Sequence, residues 1–304
     1  MEAKDLWLLL AGVENDIAGV IKNAPPEVAN ELQAANIILI EKTNTVIDQD
    51  GKVRIFYDGK EMEPPKFFWP AMTNTDSYSF ENILIESGAA CILNLNDVAA
   101  AHSKAISYAR LSRNGIRIPK SLVFYHKADR KRITDTFAYP FVVKPDTGTG
   151  GAGVALIRTE AELDAYMDQL VNGATYIAQE YISTSKGRDL RVVMLGGEKL
   201  YAMARTASNP DEFRSNVHVG GTMREVDIDG ETVALCKKIA GLYDLDLIGL
   251  DLLFGEDGFV VTEVNNFPGI IGPFVPYLKP AGLHVIGSFI EKKRKAAKGA
   301  QVEK

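Results

Sequence analysis

A chain of 304 residues is long enough for two or three domains. Its 46% hydrophobic and 24% charged residues are ordinary globular usage, which argues against disorder, collagen-like repeats and coiled coil. Lys plus Arg number 34 and Asp plus Glu 40, and the net charge of -6 argues against general nucleic-acid binding while leaving room for a local basic pocket. Cys91 and Cys236 sit in apolar stretches without metal-ligand spacing and read as core. The apolar run at 6–13 falls far short of the ~20 residues of a membrane span. Glu2 and Asp5 spoil it as a signal peptide, so a soluble, cytoplasmic protein is expected, with no membrane or nucleic-acid partner.

Residues 6–11 and 36–40 have the length and apolar content of buried strands. Between them, Pro25 and Pro26 open a stretch with helical spacing through Val28, Leu32 and Ala35. Residues 53–57, closed by Asp58-Gly59, predict one arm of a hairpin. Residues 66–69 predict another strand and 80–87 a helix ending at Gly88, so the first hundred residues read as a parallel α/β unit. Ser103 caps an expected helix over 103–114 that stops at Gly115. Strands are then expected at 121–125, 141–144 and 154–158, and Thr159-x-x-Glu162 is a capping box for a helix through Leu170. Further strands are expected at 177–182, 190–195 and 200–204, and a helix at 231–243. Finally, a hairpin is expected with arms at 250–254 and 259–264 around Glu256-Asp-Gly258. The KKRK run at 292–295 reads as the solvated end of a last helix.

Gly148-Thr-Gly150-Gly-Ala-Gly153 satisfies G-x-G-x-x-G, but a β-like segment follows it where a dinucleotide fold needs a helix. No Gly-Lys-Ser/Thr follows, so a P-loop fails as well. What remains is a glycine-rich hairpin turn whose bare N–H groups can close over phosphates. Lys144 ends an apolar strand four residues before Gly148, and its ammonium needs an anionic partner, which a triphosphate supplies. Asp251 and Glu263 lie on the two arms of the last hairpin, with Asn265 two residues beyond Glu263 on the same side. Three oxygen donors on one sheet face suit Mg2+, which takes one or two carboxylates plus phosphates and water. Arg205 and Arg214 complete the set as anion clamps.

These pieces resemble the ATP-grasp carboxylate–amine ligases, and among them the RimK-like branch that adds glutamate to ribosomal protein or related acceptors. The matching residues run in family order from about 95 to 290. They are Lys104; Phe141-Val-Val-Lys144 with the glycine loop; Gln179-Glu-Tyr-Ile182; Asp189-Leu-Arg191; Asp211-Glu-Phe-Arg-Ser-Asn216 through Gly221; Gly249-Leu-Asp251; and Glu263-Val-Asn265 with Pro268-Gly269. The first 95 residues match only in general α/β character. The glycine loop is richer in glycine than expected for glutamate-adding members, and the segment 266–277, with Pro268, Pro273 and Pro276, is individual.

The resemblance implies an ATP-grasp fold, α/β overall and α+β in its catalytic part. Its expected parts are an N-terminal parallel α/β domain (1–97), a small central lid domain (98–180) and a C-terminal antiparallel-sheet domain (181–304). It implies that Lys104, Lys144 and the loop glycines Gly148, Gly150, Gly151 and Gly153 hold ATP phosphates. Gln179, Glu180, Tyr181 and Ile182 would meet adenine, and Asp189 the ribose. Arg214, Ser215 and Asn216 would line the phosphate and acceptor side, while Asp251, Glu263 and Asn265 would bind two Mg2+ ions, with Mn2+ as a substitute. The implied reaction joins a carboxylate acceptor to an amine, an amino acid, through an acyl phosphate with release of ADP and phosphate. Arg205 or Arg214 would meet the oxyanion of the tetrahedral intermediate. A homo-oligomer is implied too. An ATP-grasp small-molecule kinase and a non-catalytic ATP sensor are the alternatives, and peptide, protein and metabolite acceptors all stay open.

Overall fold

The computed structural model describes residues 6–10, 36–72, 78–125, 129–148, 150–171, 173–215, 221–266 and 268. The expected helix after Pro25-Pro26, Asn216 and the KKRK run lie outside the described residues. Two compact units form, residues 6–98 with 244–246, and residues 99–243 with 247–268.

The first unit contains a parallel sheet of order β2-β1-β6-β7, made of β1 (Leu6–Leu10), β2 (Asn36–Leu39), β6 (Phe67–Met72) and β7 (Ala90–Cys91). Parallel strands are covered on both faces and so read as continuous apolar runs. Trp7, Leu8 and Leu9 are accordingly all buried. Helix α1 (Tyr78–Glu86) adds Phe80 and Leu84 to a core with Trp7, Leu9, Ile38 and Phe68. Strict strand–helix alternation fails between β2 and β6. There the chain builds a three-stranded antiparallel sheet of β3 (Thr43–Ile47), β4 (Val53–Tyr57) and β5 (Lys60–Met62). The expected Asp58-Gly59 turn is present, with φ of 48° and 73°, the two positive values that a tight hairpin turn needs. Cys91 is half-buried in this unit, and burial pushes its thiol up to about 12, so it is chemically quiet.

Helix α2 (Leu95–His102) was not legible in the sequence, and α3 (Lys104–Arg113) follows it with Ser103 as cap. Two antiparallel sheets make up the second unit. The central one has the order β10-β9-β11-β8, from β8 (Ser121–Phe124), β9 (Phe141–Pro145), β10 (Ala155–Ile157) and β11 (Tyr176–Glu180). Helices α4 (Arg130–Thr136) and α5 (Glu160–Met167) place Ile133, Leu163 and Met167 in its core. Thr159 caps α5 by accepting from the Glu162 N–H, while the Glu162 carboxylate reaches back to the Arg158 N–H.

The C-terminal sheet has the order β14-β13-β12-β15-β16. It comprises β12 (Arg188–Leu195), β13 (Glu198–Thr206), β14 (Thr222–Glu225), β15 (Leu247–Gly255) and β16 (Gly258–Asn265). Helix α6 (Gly230–Ala240) starts at Asp229, whose carboxylate accepts from the Thr232 N–H, and buries Cys236. No helix among the described residues is long and apolar enough to cross a membrane.

One glycine in this sheet is a steric requirement. A Cβ on Gly249 would lie 2.5 Å from Pro268 Cβ, so only glycine lets Pro268 close over the end of β15. Gly249→Ala is expected to cost about 1–3 kcal/mol through overpacking, read as a lower denaturant midpoint with an unchanged m-value.

Candidate active site

Alternation along β9 decides which of its side chains reach chemistry. Phe141 and Val143 enter the core beneath the central sheet, so Val142 and Lys144 face the other way, into a cleft. The cleft is bounded by the two sheets of the second unit. Lys144 is 5% exposed, and its ammonium donates to Tyr108 Oη at 3.0 Å. Burial pushes its pKa down to about 8, against the pull of Glu263, Asp146 and Asp251.

The glycine loop is a hairpin turn between β9 and β10, as its sequence context required. It starts at Asp146, which is bolted to the N-terminus of α3. Ser103 Oγ and the Ala105 N–H both donate to its carboxylate at 2.7 Å. This puts Lys104, the first residue of α3, beside the loop. Its ammonium pairs with Glu263 at 3.1 Å and lies 3.4 Å from the carbonyls of Asp146 and Gly148. Gly148, Gly150 and Gly151 line the cleft, and Gly153 does not. Gly153 serves the loop's own shape, because its φ is +70° and a Cβ there would meet Pro145 Cγ at 2.9 Å. Its carbonyl accepts from Tyr166 Oη at 2.7 Å.

Across the cleft, charges alternate on neighbouring strands. Register sets Asp189 of β12 beside Arg205 of β13, and Arg191 of β12 beside Asp251 of β15. Arg205 donates through Nε and Nη2 to Asp189, and through Nη2 to Asp251 at 2.8 Å. Arg191 makes a second bidentate pair with Asp251 at 2.6 and 2.7 Å. Burial raises the Asp251 pKa, but the two guanidiniums outweigh it and hold the carboxyl below its usual range. Arg191 stood in the sequence only as a motif letter. Its place two residues from Asp189, on the same strand face, was the signal that could have singled it out.

On β16 a bulge displaces Thr262, so that Glu263 pairs with Asp251 while Val261 pairs with Leu252. The two carboxylates therefore share a face, as the hairpin reading expected. Asn265 lies opposite Gly249 and its buried Nδ2 has no partner. Among the described residues no cluster of three His, Cys, Asp or Glu side chains forms a protein-only metal cage. Two carboxylates that share a face fit Mg2+, which takes oxygen donors and would leave its remaining positions to the amide oxygen of Asn265, phosphate oxygens and water. Asp251, Glu263 and Asn265 are the residues that would hold it.

Gln179, Glu180, Tyr181 and Ile182 line one end of the cleft together. Glu180 exchanges hydrogen bonds with the Lys120 backbone, and Tyr181 meets Phe213 edge-on at 6.3 Å. Ser215 and Arg214 line the cleft too. Arg214 is held by Glu212 through two bonds of 2.9 and 2.8 Å, and the pair holds the Glu212 carboxyl down to about 2. Its Nη1 donates to the Gly151 carbonyl at 3.1 Å, so Arg214 straps the glycine loop. Asp189, by contrast, already spends its carboxylate on Arg205.

The RimK-like ATP-grasp domain family matches residues 101–273. A probable alpha-L-glutamate ligase of Serratia proteamaculans is 31% identical over 242 residues, covering 78% of this chain and 79% of that protein. The ribosomal protein bS6–L-glutamate ligase of Escherichia fergusonii is 34% identical over 195 residues, 64% of this chain and 63% of that one. Among solved structures, the VanG D-Ala:D-Ser ligase from Enterococcus faecalis aligns with a TM-score of 0.68 at 15% identity, over 95% of this chain and 99% of its own, a likeness of fold alone.

Two outcomes follow from the charges. Asp251→Asn removes the counter-charge of the partly buried Arg191 and leaves the buried Arg205 with Asp189 alone, and is expected to lower stability by about 3–5 kcal/mol, measured by denaturant unfolding. Nucleotide affinity is expected to fall as pH rises through 8, because the free protein loses the Lys144 charge there. Titration calorimetry with magnesium AMPPNP between pH 7 and 9 measures this, and Lys144→Arg, which stays charged, should abolish the step.

Proposed function

Because this chain belongs to the RimK-like ATP-grasp family, we propose that it joins L-glutamate, through its amino group, to a carboxylate of a polypeptide acceptor. The class of reaction is ATP-dependent ligation that forms an amide, with ATP and Mg2+ required. The names of the Serratia and Escherichia relatives support glutamate, and the second supports a polypeptide acceptor. The observation that carries the chemistry is the gathering, in one cleft, of Lys104, Lys144 and the glycine loop with Asp251 and Glu263.

In this reading Lys104 and Lys144 hold the triphosphate, and the N–H groups of Gly148, Gly150 and Gly151 cover it as a lid that excludes water. The central sheet, with residues 98–180, is the lid part and residues 181–304 form the catalytic part. Gln179 to Ile182 receive adenine, with Asp189 toward the ribose, and Ser215 completes the phosphate side. Lys104 would exchange Glu263 for a phosphate oxygen, freeing that carboxylate for the metal. Asp251, Glu263 and Asn265 would hold magnesium, as two ions, which would supply charge neutralisation on the phosphate oxygens.

An acceptor carboxylate oxygen attacks the γ-phosphorus, ADP leaves, and an acyl phosphate results. The amine nitrogen then attacks the acyl carbon, and loss of phosphate and a proton leaves the amide. The oxyanion in between needs a fixed donor. Arg205 suits this better than Arg214. Its Nε and Nη2 are locked to Asp189 and Asp251 while Nη1 is used in neither pair. Arg214 is already committed to Glu212 and Gly151.

The test is ADP release across a panel of amino acids and carboxylate acceptors, with mass analysis of the product. Glutamate-dependent ADP release with a mass gain of one glutamyl residue is the expected result. Release supported by other amino acids and not by glutamate would refute the amine assignment. Glu263→Ala should abolish turnover and leave the unfolding free energy within about 1 kcal/mol of the parent, since its carboxylate is partly exposed and, among the described residues, pairs with one lysine.

A further inference from the structure

We propose that Tyr108 is a positioning residue for nucleotide binding: its hydroxyl seats the Lys144 ammonium and ties it to the backbone of the strand that carries Glu263. Tyr108 stands on α3, one helical turn after Lys104, and is 3% exposed. Its Oη lies 3.0 Å from Lys144 Nζ, 2.7 Å from the Thr262 carbonyl oxygen and 3.2 Å from Gln179 Oε1. One ring thus touches β9, β11 and β16 of the same unit.

The direction of these bonds follows from counting protons. An ammonium only donates, and a phenol has one proton with lone pairs to spare. Tyr108 therefore accepts from Lys144 and sends its own proton to the Thr262 carbonyl, the shorter of its two acceptor contacts. The β16 bulge makes this geometry available, because Thr262 has no Cα partner in the β15 register. The ammonium also lies 5.5 Å from the Tyr108 ring centroid, close enough for cation–π attraction.

A neutral acceptor suits the task in a way the alternatives do not. A carboxylate at this place would neutralise Lys144 and repel a triphosphate. An aliphatic side chain would leave a buried ammonium with an unmet donor. The phenol holds the lysine without cancelling its charge and leaves two of its three N–H groups for phosphate oxygens. Because the same hydroxyl grips β16, the spacing between the phosphate-binding lysine and the metal-binding strand is set through one side chain.

This inference rests on the reading that Lys144 meets the phosphates of ATP, and the experiment separates the two. Magnesium AMPPNP is titrated calorimetrically into the parent, Tyr108→Phe, Lys144→Met and the double variant, in buffers of different ionisation enthalpy at pH 8. Tyr108→Phe is expected to weaken binding about 10–100-fold, the effect of one hydrogen bond to a charged group. In the Lys144→Met background the same change should cost less than about twofold. Proton uptake on binding should rise in Tyr108→Phe, because an ammonium without its acceptor holds its proton less tightly in the free protein. The carboxylates that face it, Glu263, Asp146 and Asp251, are the same in both. Equal losses in both backgrounds, unchanged affinity, or unchanged proton uptake would overturn the role of Tyr108. A parent protein that does not bind AMPPNP would overturn the nucleotide reading and this inference with it.

Discussion

Two carboxylates and two guanidiniums, Asp189, Arg205, Asp251 and Arg191, lie on three adjacent strands and neutralise one another inside the C-terminal sheet. None can be taken out of water alone, since each buried charge costs several kcal/mol unless it is paired and hydrogen-bonded. The pairing therefore imposes a common register on β12, β13 and β15, and a one-residue slip would turn every partner to the opposite face. Such a set contributes little net stability compared with an apolar core of equal volume. Its consequence is orientation: Asp251 is ionised and immobile, and Arg205 presents its remaining nitrogen in one direction.

The other wall of the cleft solves the reverse problem. Here the partners of the cations are weak or exchangeable. Lys144 leans on a neutral phenol, and Lys104 on a single, partly exposed glutamate and two carbonyls at 3.4 Å. Asp146 does not compete for Lys144 by direct bonding, because both its oxygens are used in fixing the start of α3. The glycine loop is anchored at both ends, by Asp146 to α3 and by the Gly153 carbonyl to Tyr166, while Arg214 straps its middle at Gly151. One wall is locked and the cations of the other are held by weaker contacts, the division of labour expected of the phosphate-transfer site proposed above.

Local rules carried much of the architecture. Capping residues Ser103, Thr159 and Asp229 each bond as their helix starts require, and Lys144, marked out by its place at the end of an apolar strand, lines the cleft. Elements with weak local signals escaped. The α2 and α4 helices and strands β3, β5, β7 and β14 are short or polar, and neighbours hold them in place more than their own propensity. The site was legible as a set of residue types. The pairing of Asp189 with Arg205, the strap made by Arg214 and the structural duty of Gly153 were not.

What the sequence by itself determined was chemistry in order: a lysine ending an apolar strand, glycines in a hairpin turn, two acids and an amide on a closing hairpin. Each is encoded within a stretch of about fifteen residues, so period and turn rules reach it. Only the tertiary structure decided which charges meet. Tyr108 and Thr262 are 154 residues apart, and Arg191 and Asp251 are 60. No spacing rule spans such separations. They become partners because sheet register, a bulge at Thr262 and the burial of each charge leave them no other arrangement with their hydrogen bonds satisfied.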